Sequence, residues 1–222
     1  MNDARIAELL APYVGAPGAS RLKPEVLRDI STYIDLLRRW NLRINLTAIR
    51  NEEEIVTRHF GESFFAASLL FPPCSSVSSV VKGVAVADLG SGAGFPGLPI
   101  KLWAPEIKLT LIESNQKKAT FLREVARALT LTDVNIQNAR AESLSEPRFD
   151  VVTLRAVERF ESILPIAASL VSPRGRLAIL IGQAQLAQAR SILPSQTWSE
   201  LHPIPGSSSR VVAIASQDEP NK

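Results

Sequence analysis

Residues 88–97 read Asp-Leu-Gly-Ser-Gly-Ala-Gly-Phe-Pro-Gly and follow a short apolar run that begins at Val84. Glycines adopt positive φ angles, and they leave no side chain in the way of a ligand that approaches the backbone. A helix that begins after such a loop has free N–H groups in its first turn, where a ligand can bind. The stretch therefore predicts a strand, a ligand-binding loop and a helix, which together open a βαβ unit.

Short apolar runs and helical stretches alternate in the residues that follow this loop. Strands are predicted at 84–89, 107–112, 134–137, 149–154, 177–181 and 211–215, and helices at 115–129, 162–171 and 183–193. This alternation predicts an α/β fold, Rossmann-like, with a mostly parallel sheet and helices on both faces. The stretch after Gln196 holds two strands without a helix between them, and we expect these to pair antiparallel.

The residues before the loop are predicted to be helical. Apolar side chains recur every three or four residues from Pro24 to Trp40, and a second helix is predicted over 51–70 with a break near Gly61. Residues 71–79 are rich in proline and serine, which is typical of a linker. We therefore expect an N-terminal helical cap over 1–71, a linker over 72–83 and a Rossmann-like domain over 84–222.

The composition indicates one α/β domain with a small accessory segment. The chain has 25 basic and 22 acidic side chains, and its net charge of +3 is compatible with RNA without requiring it. A single cysteine excludes an internal disulfide and a cysteine-based metal cluster. The N-terminus has no signal-peptide pattern, and no apolar run has the length of a membrane span. We expect a soluble cytoplasmic protein that holds no metal and contacts no membrane.

Two carboxylates beside the loop favour S-adenosylmethionine as its ligand. Asp88 ends the first strand, where its charge suits the amino group of a methionine moiety and would repel a pyrophosphate. Glu113 ends the second strand, where its oxygens can accept from both hydroxyls of a ribose. A nicotinamide or flavin cofactor, or a tight turn without a ligand, are the alternatives.

The residues predicted to bind this cofactor follow the carboxyl ends of successive strands. They are Asp88, Gly90, Ser91, Gly92, Gly94, Phe95, Glu113, Ala141, Glu142 and Arg155. Ala141 and Glu142 come after the third predicted strand, near the place where an adenine would lie.

Several motifs resemble those of one family. They are Trp40-Asn41-x-x-x-Asn45-Leu46-Thr47-Ala48-Ile49, Arg58-His59-x-x-Glu62-Ser63, the Phe95-Pro96-Gly97 extension of the loop, Glu113-Ser114-x-x-Lys117-Lys118, Arg140-Ala141-Glu142 and Asp150-Val151-Val152-Thr153-Leu154-Arg155-Ala156. Together they resemble the RsmG family of 16S ribosomal RNA guanine-N7 methyltransferases, once called glucose-inhibited division protein B. The resemblance spans about residues 30–182.

The resemblance implies a Rossmann-like, S-adenosylmethionine-dependent methyltransferase domain behind an N-terminal helical cap. It also implies methylation of guanine 527 in the 530 loop, with 16S rRNA or the small ribosomal subunit as partner, and we expect a monomer. The candidate RNA contacts are Asn45, Thr47, Lys117, Lys118 and Arg210.

Three positions depart from the family pattern. Glu62 stands where the family has aspartate, Ile181 stands where a lysine commonly precedes the glycine, and Arg210 is the remnant of a basic pair after three serines. Glu62 keeps the charge. The other two changes weaken the assignment of RNA contacts near the C-terminus.

Methylation of guanine N7 makes modest chemical demands. N7 has a lone pair and no proton, so an in-line displacement needs orientation but no general base. Arg155 follows a strand at the ligand-binding edge and is the candidate catalytic residue, as an orienting group. Its alternative role is a salt bridge with Glu158 or Asp88. His59 is interpreted as a packing residue rather than as a base.

Two other functions fit the same residues. One is a methyltransferase that acts on a protein or a small molecule, which the modest positive charge allows. The other is a non-catalytic rRNA-binding assembly factor whose cofactor loop is vestigial, although the joint presence of Asp88, the glycines and Glu113 argues against loss of the cofactor site.

Overall fold

The structure is a computed structural model, and it describes residues 1–19, 21–72, 81–144, 149–157, 159–199 and 201–216. The helices are α1 Asp3–Ala19, α2 Pro24–Asn41, α3 Glu52–Glu54, α4 Glu62–Leu70, α5 Gly97–Trp103, α6 Gln116–Ala128, α7 Phe160–Ser169 and α8 Gln185–Ile192. A π-helical segment, Ile55–Gly61, joins α3 to α4, and a 3-10 turn covers Ala141–Ser143.

The described residues form an eight-stranded sheet. Its strands are β1 Ala85–Leu89, β2 Lys108–Ile112, β3 Val134–Gln137, β4 Phe149–Arg155, β5 Val171–Gly182, β6 Thr197–Trp198, β7 His202–Pro203 and β8 Arg210–Ser216. The order is β3-β2-β1-β4-β5-β8-β6, and β7 also pairs with β8. Strands β1 to β5 run parallel, whereas β8 is antiparallel to β5 and to both short strands. The sheet is therefore mostly parallel, as predicted.

Alternate residues of the central strands enter two cores on opposite faces of the sheet. Val86 and Val151 pack with the N-terminal helices, α5 and α6, whereas Ala87 and Val152 pack with α7 and α8. Both faces are thus covered, which explains why these strands are apolar throughout instead of alternating with polar residues.

The N-terminal helices share their core with one face of the sheet. Leu37 of α2 and Phe60 of the π-helical segment lie in the same buried cluster as Leu98 and Phe121. At Gly61, an added Cβ would lie 2.7 Å from the Tyr13 ring of α1. The glycine at the predicted break therefore allows close packing of two helices, and the chain passes through it as π-helix.

Most predicted elements are present, with differences in their bounds. The helix predicted at 162–171 runs from Phe160 to Ser169. It ends before 171 because Val171 already starts β5. The two strands expected to pair with each other after Gln196 are instead short strands that flank β8, and the long antiparallel pair is β5 with β8. Most of the predicted linker falls on 73–80, outside the described residues. Among the helices described, none has the length and apolarity to span a bilayer.

Candidate functional site

A cavity of about 600 Å³ opens at the carboxyl ends of β1, β2 and β4. Strand order reverses at β1, with β2 on one side and β4 on the other. Parallel α/β sheets bind ligands at such a switch point because the loops there diverge to opposite faces. The cavity walls come from the glycine loop, from the residues that follow β2, β3 and β4, and from the loop after α2.

The structure brings most of the predicted site residues to this cavity. Those in its lining are Thr47, Gly90, Ser91, Gly92, Phe95, Glu113, Lys118, Ala141, Glu142 and Arg155. Leu46 and His59 line it as well. The predicted residues outside the lining are Asn45, Asp88, Gly94, Lys117 and Arg210.

Asp88 lies outside the cavity lining, and its predicted contact with the cofactor, directly or through water, stays a prediction. The side chain is fully buried; its Oδ2 accepts from the Gly97 amide at 3.2 Å and its Oδ1 from the Thr153 hydroxyl at 2.8 Å. It therefore ties the start of α5 to β4 behind the glycine loop. Burial raises the pKa of the Asp88 carboxyl to about 7, against the opposing effect of these hydrogen bonds.

The raised pKa of Asp88 predicts a pH-dependent stability. The folded state holds a proton that the unfolded chain releases near pH 4, so the free energy of unfolding falls as pH rises towards 7. Asp88→Asn keeps the shape and lacks this titration. From pH 4 to 7.5 we expect the variant to gain up to about 4 kcal/mol relative to the parent chain in urea unfolding. Parallel pH profiles would contradict the buried protonation.

Gly94 also lies outside the cavity, and it is needed for packing. Its φ is +90°, and an added Cβ would lie 2.2 Å from the Tyr33 hydroxyl. Tyr33 donates to the carbonyl of Ala93 at 2.5 Å, so α2 fixes the loop from behind. Gly94 therefore has a role in loop packing, and its predicted contact with the cofactor stays a prediction.

Phe95 is enclosed by aromatic rings on both faces. Tyr33 stacks on it with ring centroids 5.2 Å apart, and His59 stacks on it at 4.6 Å. The ring is 7% exposed, so only an edge reaches the cavity. Phe95 therefore shapes the cavity wall. With Tyr33 and His59 stacked on its ring, the predicted contact with the cofactor would be made by the edge of the ring and not by its face.

Glu113 joins two walls of the cavity. Its Oε2 accepts from the Gly92 amide at 2.9 Å, and its Oε1 accepts from the Asn115 amide at 2.7 Å. Each carboxylate oxygen has a further lone pair that can accept from a ligand hydroxyl. The predicted ribose contact is compatible with this geometry. Asn115 in turn caps α6 by accepting from the Lys117 and Lys118 amides.

Asn41 holds the loop that carries Thr47. Its Oδ1 accepts from the amides of Leu46 and Thr47, and its Nδ2 donates to the carbonyl of Thr47. Asn45 is exposed and lies outside the cavity lining, whereas Leu46 and Thr47 line the cavity, and the predicted contact of Asn45 with RNA stays a prediction. The motif in which the two asparagines occur thus contains one positioning residue and one exposed residue.

Arg155 pairs with Glu62, which is neither of the two partners proposed from the sequence. Its Nη2 lies 3.4 Å from Glu62 Oε2 and donates to the carbonyl of Arg58 at 2.7 Å. Asp88 instead bonds Thr153 and Gly97, and Glu158 lies outside the described residues. The ion pair explains how a buried guanidinium can remain at the cavity wall.

Arg210 is also held by Glu62, and its predicted contact with RNA stays a prediction. Its Nε lies 2.7 Å from Glu62 Oε1, and the residue is absent from the cavity lining. Lys117 is exposed at the first turn of α6, whereas Lys118 lines the cavity. Of the predicted basic RNA contacts, only Lys118 therefore faces the cavity.

His59 lines the cavity between Arg155 and Thr47. Its Nδ1 lies 3.2 Å from Arg155 Nη2, and its Nε2 lies 2.8 Å from Thr47 Oγ1. Burial, then the charges of Arg155 and Arg58, lower the pKa of His59 to about 3. The ring is therefore neutral at physiological pH, and its low pKa makes it a weak proton acceptor.

Two functional positions were missed in the sequence. Tyr33 lies on the apolar face of α2, where it cannot be distinguished from a core residue by periodicity alone. Asn41 lies at the end of the same helix, where an asparagine commonly serves as a simple terminator. The partner of Tyr33 is Ala93, 60 positions away, so no local signal reveals that contact. Asn41 instead bonds Leu46 and Thr47, five and six positions further on, and its place in the same motif was the available signal.

Comparison with known proteins identifies the family. The model of the family described as "rRNA small subunit methyltransferase G" matches residues 26–201. The chain is 34% identical over 206 residues to the ribosomal RNA small subunit methyltransferase G of Xanthomonas axonopodis pv. citri, covering 92% of each chain. It is 35% identical to the protein of that name from Xanthomonas campestris pv. campestris strain 8004, with the same coverage.

Solved structures with a similar fold are also methyltransferases. Magnesium protoporphyrin IX methyltransferase of Synechocystis, solved with bound S-adenosylmethionine, has a TM-score of 0.63 at 14% identity, over 86% of this chain and 97% of that one. A ribosomal protein L11 methylase of Lactobacillus delbrueckii has a TM-score of 0.56 at 19% identity, over 71% and 79% of the two chains. At these identities the likeness concerns the fold alone.

These findings confirm the main sequence-based expectations. The fold is a Rossmann-like methyltransferase fold with a helical N-terminal segment, and the protein is an S-adenosylmethionine-dependent enzyme that methylates ribosomal RNA. The match covers most of the chain and includes nearly all of α2, the glycine loop and the cavity wall around Arg155. The chain belongs to the rRNA small subunit methyltransferase G family.

Proposed function

We propose that the chain methylates N7 of a single guanine, guanine 527 in the 530 loop of 16S rRNA, within the small ribosomal subunit. The observation that carries the proposal is the polar wall of Thr47, His59 and Arg155, which faces the glycine loop across one cavity. This wall offers hydrogen-bond donors and no group able to remove a proton, which suits N7 as acceptor. We infer that the enzyme acts as a monomer in the cytoplasm, and that residues 1–71 form a cap on the domain that begins at 84.

The cavity residues fit S-adenosylmethionine. An added Cβ at Gly92 would have no neighbour nearer than the Gly90 carbonyl oxygen at 3.7 Å, so the loop leaves open space beside its backbone. We infer that the Gly90 to Gly92 backbone holds the methionine part, that Glu113 binds the ribose and that Ala141 and Glu142 lie beside the adenine. When bound, the cofactor supplies an electrophilic methyl group on a sulfonium.

The chain's own residues then orient the acceptor base. Arginine only donates, so His59 Nδ1 accepts from Arg155 and the ring proton lies on Nε2, as the hydrogen-bond network assigns it. That proton points at Thr47 Oγ1, which also accepts from the Ile49 amide at 3.1 Å. Both lone pairs of the Thr47 hydroxyl are therefore used, and its own hydrogen is free to donate into the cavity.

A hydroxyl that can only donate distinguishes guanine from adenine. The Hoogsteen edge of guanine carries two acceptors, O6 and N7, whereas adenine carries an amino donor in place of O6. A bond from Thr47 to O6 leaves the N7 lone pair free to attack. The same hydroxyl would meet the adenine amino group donor against donor, so Thr47 favours guanine in the site.

Thr47→Val should therefore slow methyl transfer by about 10-fold or more and weaken the preference for guanine over adenine. Thr47→Ser keeps the donor and is the matched control, with rates expected within a few fold of the parent. The assay uses subunits with guanine or adenine at position 527, and calorimetry measures cofactor affinity separately. If Thr47→Val binds S-adenosylmethionine weakly and keeps the preference for guanine over adenine, Thr47 contacts the cofactor and not the base.

The test of the target uses labelled S-adenosylmethionine and small subunits that lack N7 methylation. We expect one label, mapped to N7 of guanine 527, and none on subunits that already carry it. Label on another nucleotide would replace the proposed target. Label on protein or small molecules alone would support the alternative methyltransferases, and binding without transfer would support an assembly factor.

A further inference from the structure

A second cavity, of about 180 Å³, lies on the far side of Arg155 at the carboxyl ends of β4 and β5. Arg155, Ala156 and Val157 line both cavities, so the two spaces adjoin along the segment that follows β4. Apolar residues such as Ile181 and Phe160 form part of its wall. The smaller cavity takes no part in the cofactor contacts proposed above.

The charge of this cavity is positive. Three arginines line it, Arg58, Arg155 and Arg210, against one carboxylate, Glu62. Glu62 is 2% exposed, and its two oxygens are already paired with Arg155 and Arg210. Arg58 is also paired with Glu54, whose Oε1 lies 3.1 Å from Arg58 Nη1, so three guanidinium groups face two carboxylates and a net positive charge remains. Screening by water and salt is weak around the buried pair of Glu62 and Arg155.

Two donors in the wall have nothing to bond. Among the described residues, Arg58 Nε and Arg155 Nη1 are buried without a hydrogen-bond partner. Gln185 also lines the cavity, and its Oε1 already accepts from the Gly182 amide, so the amino group of that side chain remains as a donor. Buried donors are normally satisfied, and unpaired donors suit a ligand made of acceptors alone.

We propose that this cavity binds a phosphate group of the rRNA backbone next to the nucleotide that is methylated. Phosphate oxygens only accept, carry the opposite charge, and match the planar donors of arginine better than any neutral ligand. The proposal rests on the proposed RNA substrate. Because Arg155 lines both cavities, a phosphate held here fixes the backbone directly beside the base that Thr47 and Arg155 orient.

The test compares Arg58→Gln with the parent chain in binding to small subunits over a range of salt concentrations. Each phosphate contact adds about 0.7 to the slope of log affinity against log salt for single-stranded RNA. We expect Arg58→Gln to lower the slope by about that amount and to leave S-adenosylmethionine affinity unchanged. Arg39→Gln, which alters an exposed arginine of α2 outside both cavities, is the matched control and should keep the parent slope.

A second arm uses inorganic phosphate and needs no RNA and no variant. The Nε–H resonances of Arg58 and Arg155 should shift in nitrogen-15 NMR as phosphate is added to the full chain, and chloride at equal ionic strength should not shift them. An unchanged salt slope in Arg58→Gln overturns the backbone-phosphate site, even if free phosphate shifts both resonances. If both arms succeed and the label never reaches guanine 527, the target fails while the phosphate site stands.

Discussion

Arg155→Ala is expected to reduce methyl transfer to small subunits by about 100-fold or more while S-adenosylmethionine affinity changes by less than about threefold. The guanidinium fixes the His59 tautomer and through it the direction in which Thr47 donates. It also bonds the carbonyl of Arg58 on the helical segment that covers the cavity. Alanine removes all of these contacts at once, so the acceptor base loses its orientation although the glycine loop and Glu113 stay in place.

The same change has a cost in stability that must be separated from the loss of activity. Glu62 keeps Arg210 as its partner, so the loss in the free energy of unfolding should stay below the roughly 3 kcal/mol that an uncompensated buried carboxylate costs. Arg176→Ala is the matched control, because Arg176 also bonds a backbone carbonyl of the N-terminal helices, that of Leu70, but pairs with Val151, four residues before Arg155 on β4. Rates are compared per folded, cofactor-binding molecule. Equal turnover of the two variants would reject the orienting role.

Gly94→Ala is expected to disrupt the cofactor site from behind. The added Cβ would overlap the Tyr33 hydroxyl and lie 2.6 Å from Leu98 Cδ1, and it would occupy a φ of +90°. The overlap and the positive φ together predict a loss of about 2–5 kcal/mol in the free energy of unfolding. Because Tyr33 also bonds Ala93 and stacks on Phe95, the displacement spreads through the loop and lowers cofactor affinity.

Gly83→Ala isolates the backbone contribution to this effect. Gly83 has a φ of +79° with no atom within 4 Å of an added Cβ, so its alanine variant carries the strain without the overlap. We expect it to lose about 1–2 kcal/mol and to bind S-adenosylmethionine normally. Tyr33→Phe in the Gly94→Ala background removes the hydroxyl and should recover part of the difference. Equal losses for Gly94→Ala and Gly83→Ala, measured by urea unfolding and calorimetry, would refute the packing role.

The fold could be predicted from sequence because its signals are local. The apolar runs of β1, β2 and β4 are long enough to be read one by one, and the helical period of α2 is visible within its own 18 residues. The π-helical turn at Ile55–Gly61 could not be predicted from the sequence, because its hydrophobic pattern differs little from that of an α-helix. The flanking strands β6 and β7 are two residues each, too short to have a periodicity.

The positions that form the candidate site could be predicted from the sequence, but the hydrogen bonds and ion pairs between them could not. Glu113, Gly92 and Arg155 were expected at the carboxyl edge because each follows a predicted strand, and they line the cavity. Asp88 lies within β1, one residue before its end, and its side chain turns inward to Gly97 and Thr153. Consecutive residues of a strand point to opposite faces, and which face meets the ligand depends on how the neighbouring helices are packed.

The sequence alone thus determined the glycine loop, the parallel sheet and the cofactor class, since each depends on residues close together in the chain. Tertiary structure alone decided the partners of the ionisable groups. Glu62 and Arg155 are 93 positions apart in the numbering, and Tyr33 and Ala93 are 60 apart. Burial makes such pairs obligatory, because a buried charge or hydroxyl must find a partner, but only the folded packing determines which one is within reach. Two glycines of the same loop therefore have different roles: Gly92 leaves space for a ligand, and Gly94 allows helix α2 to pack against the loop.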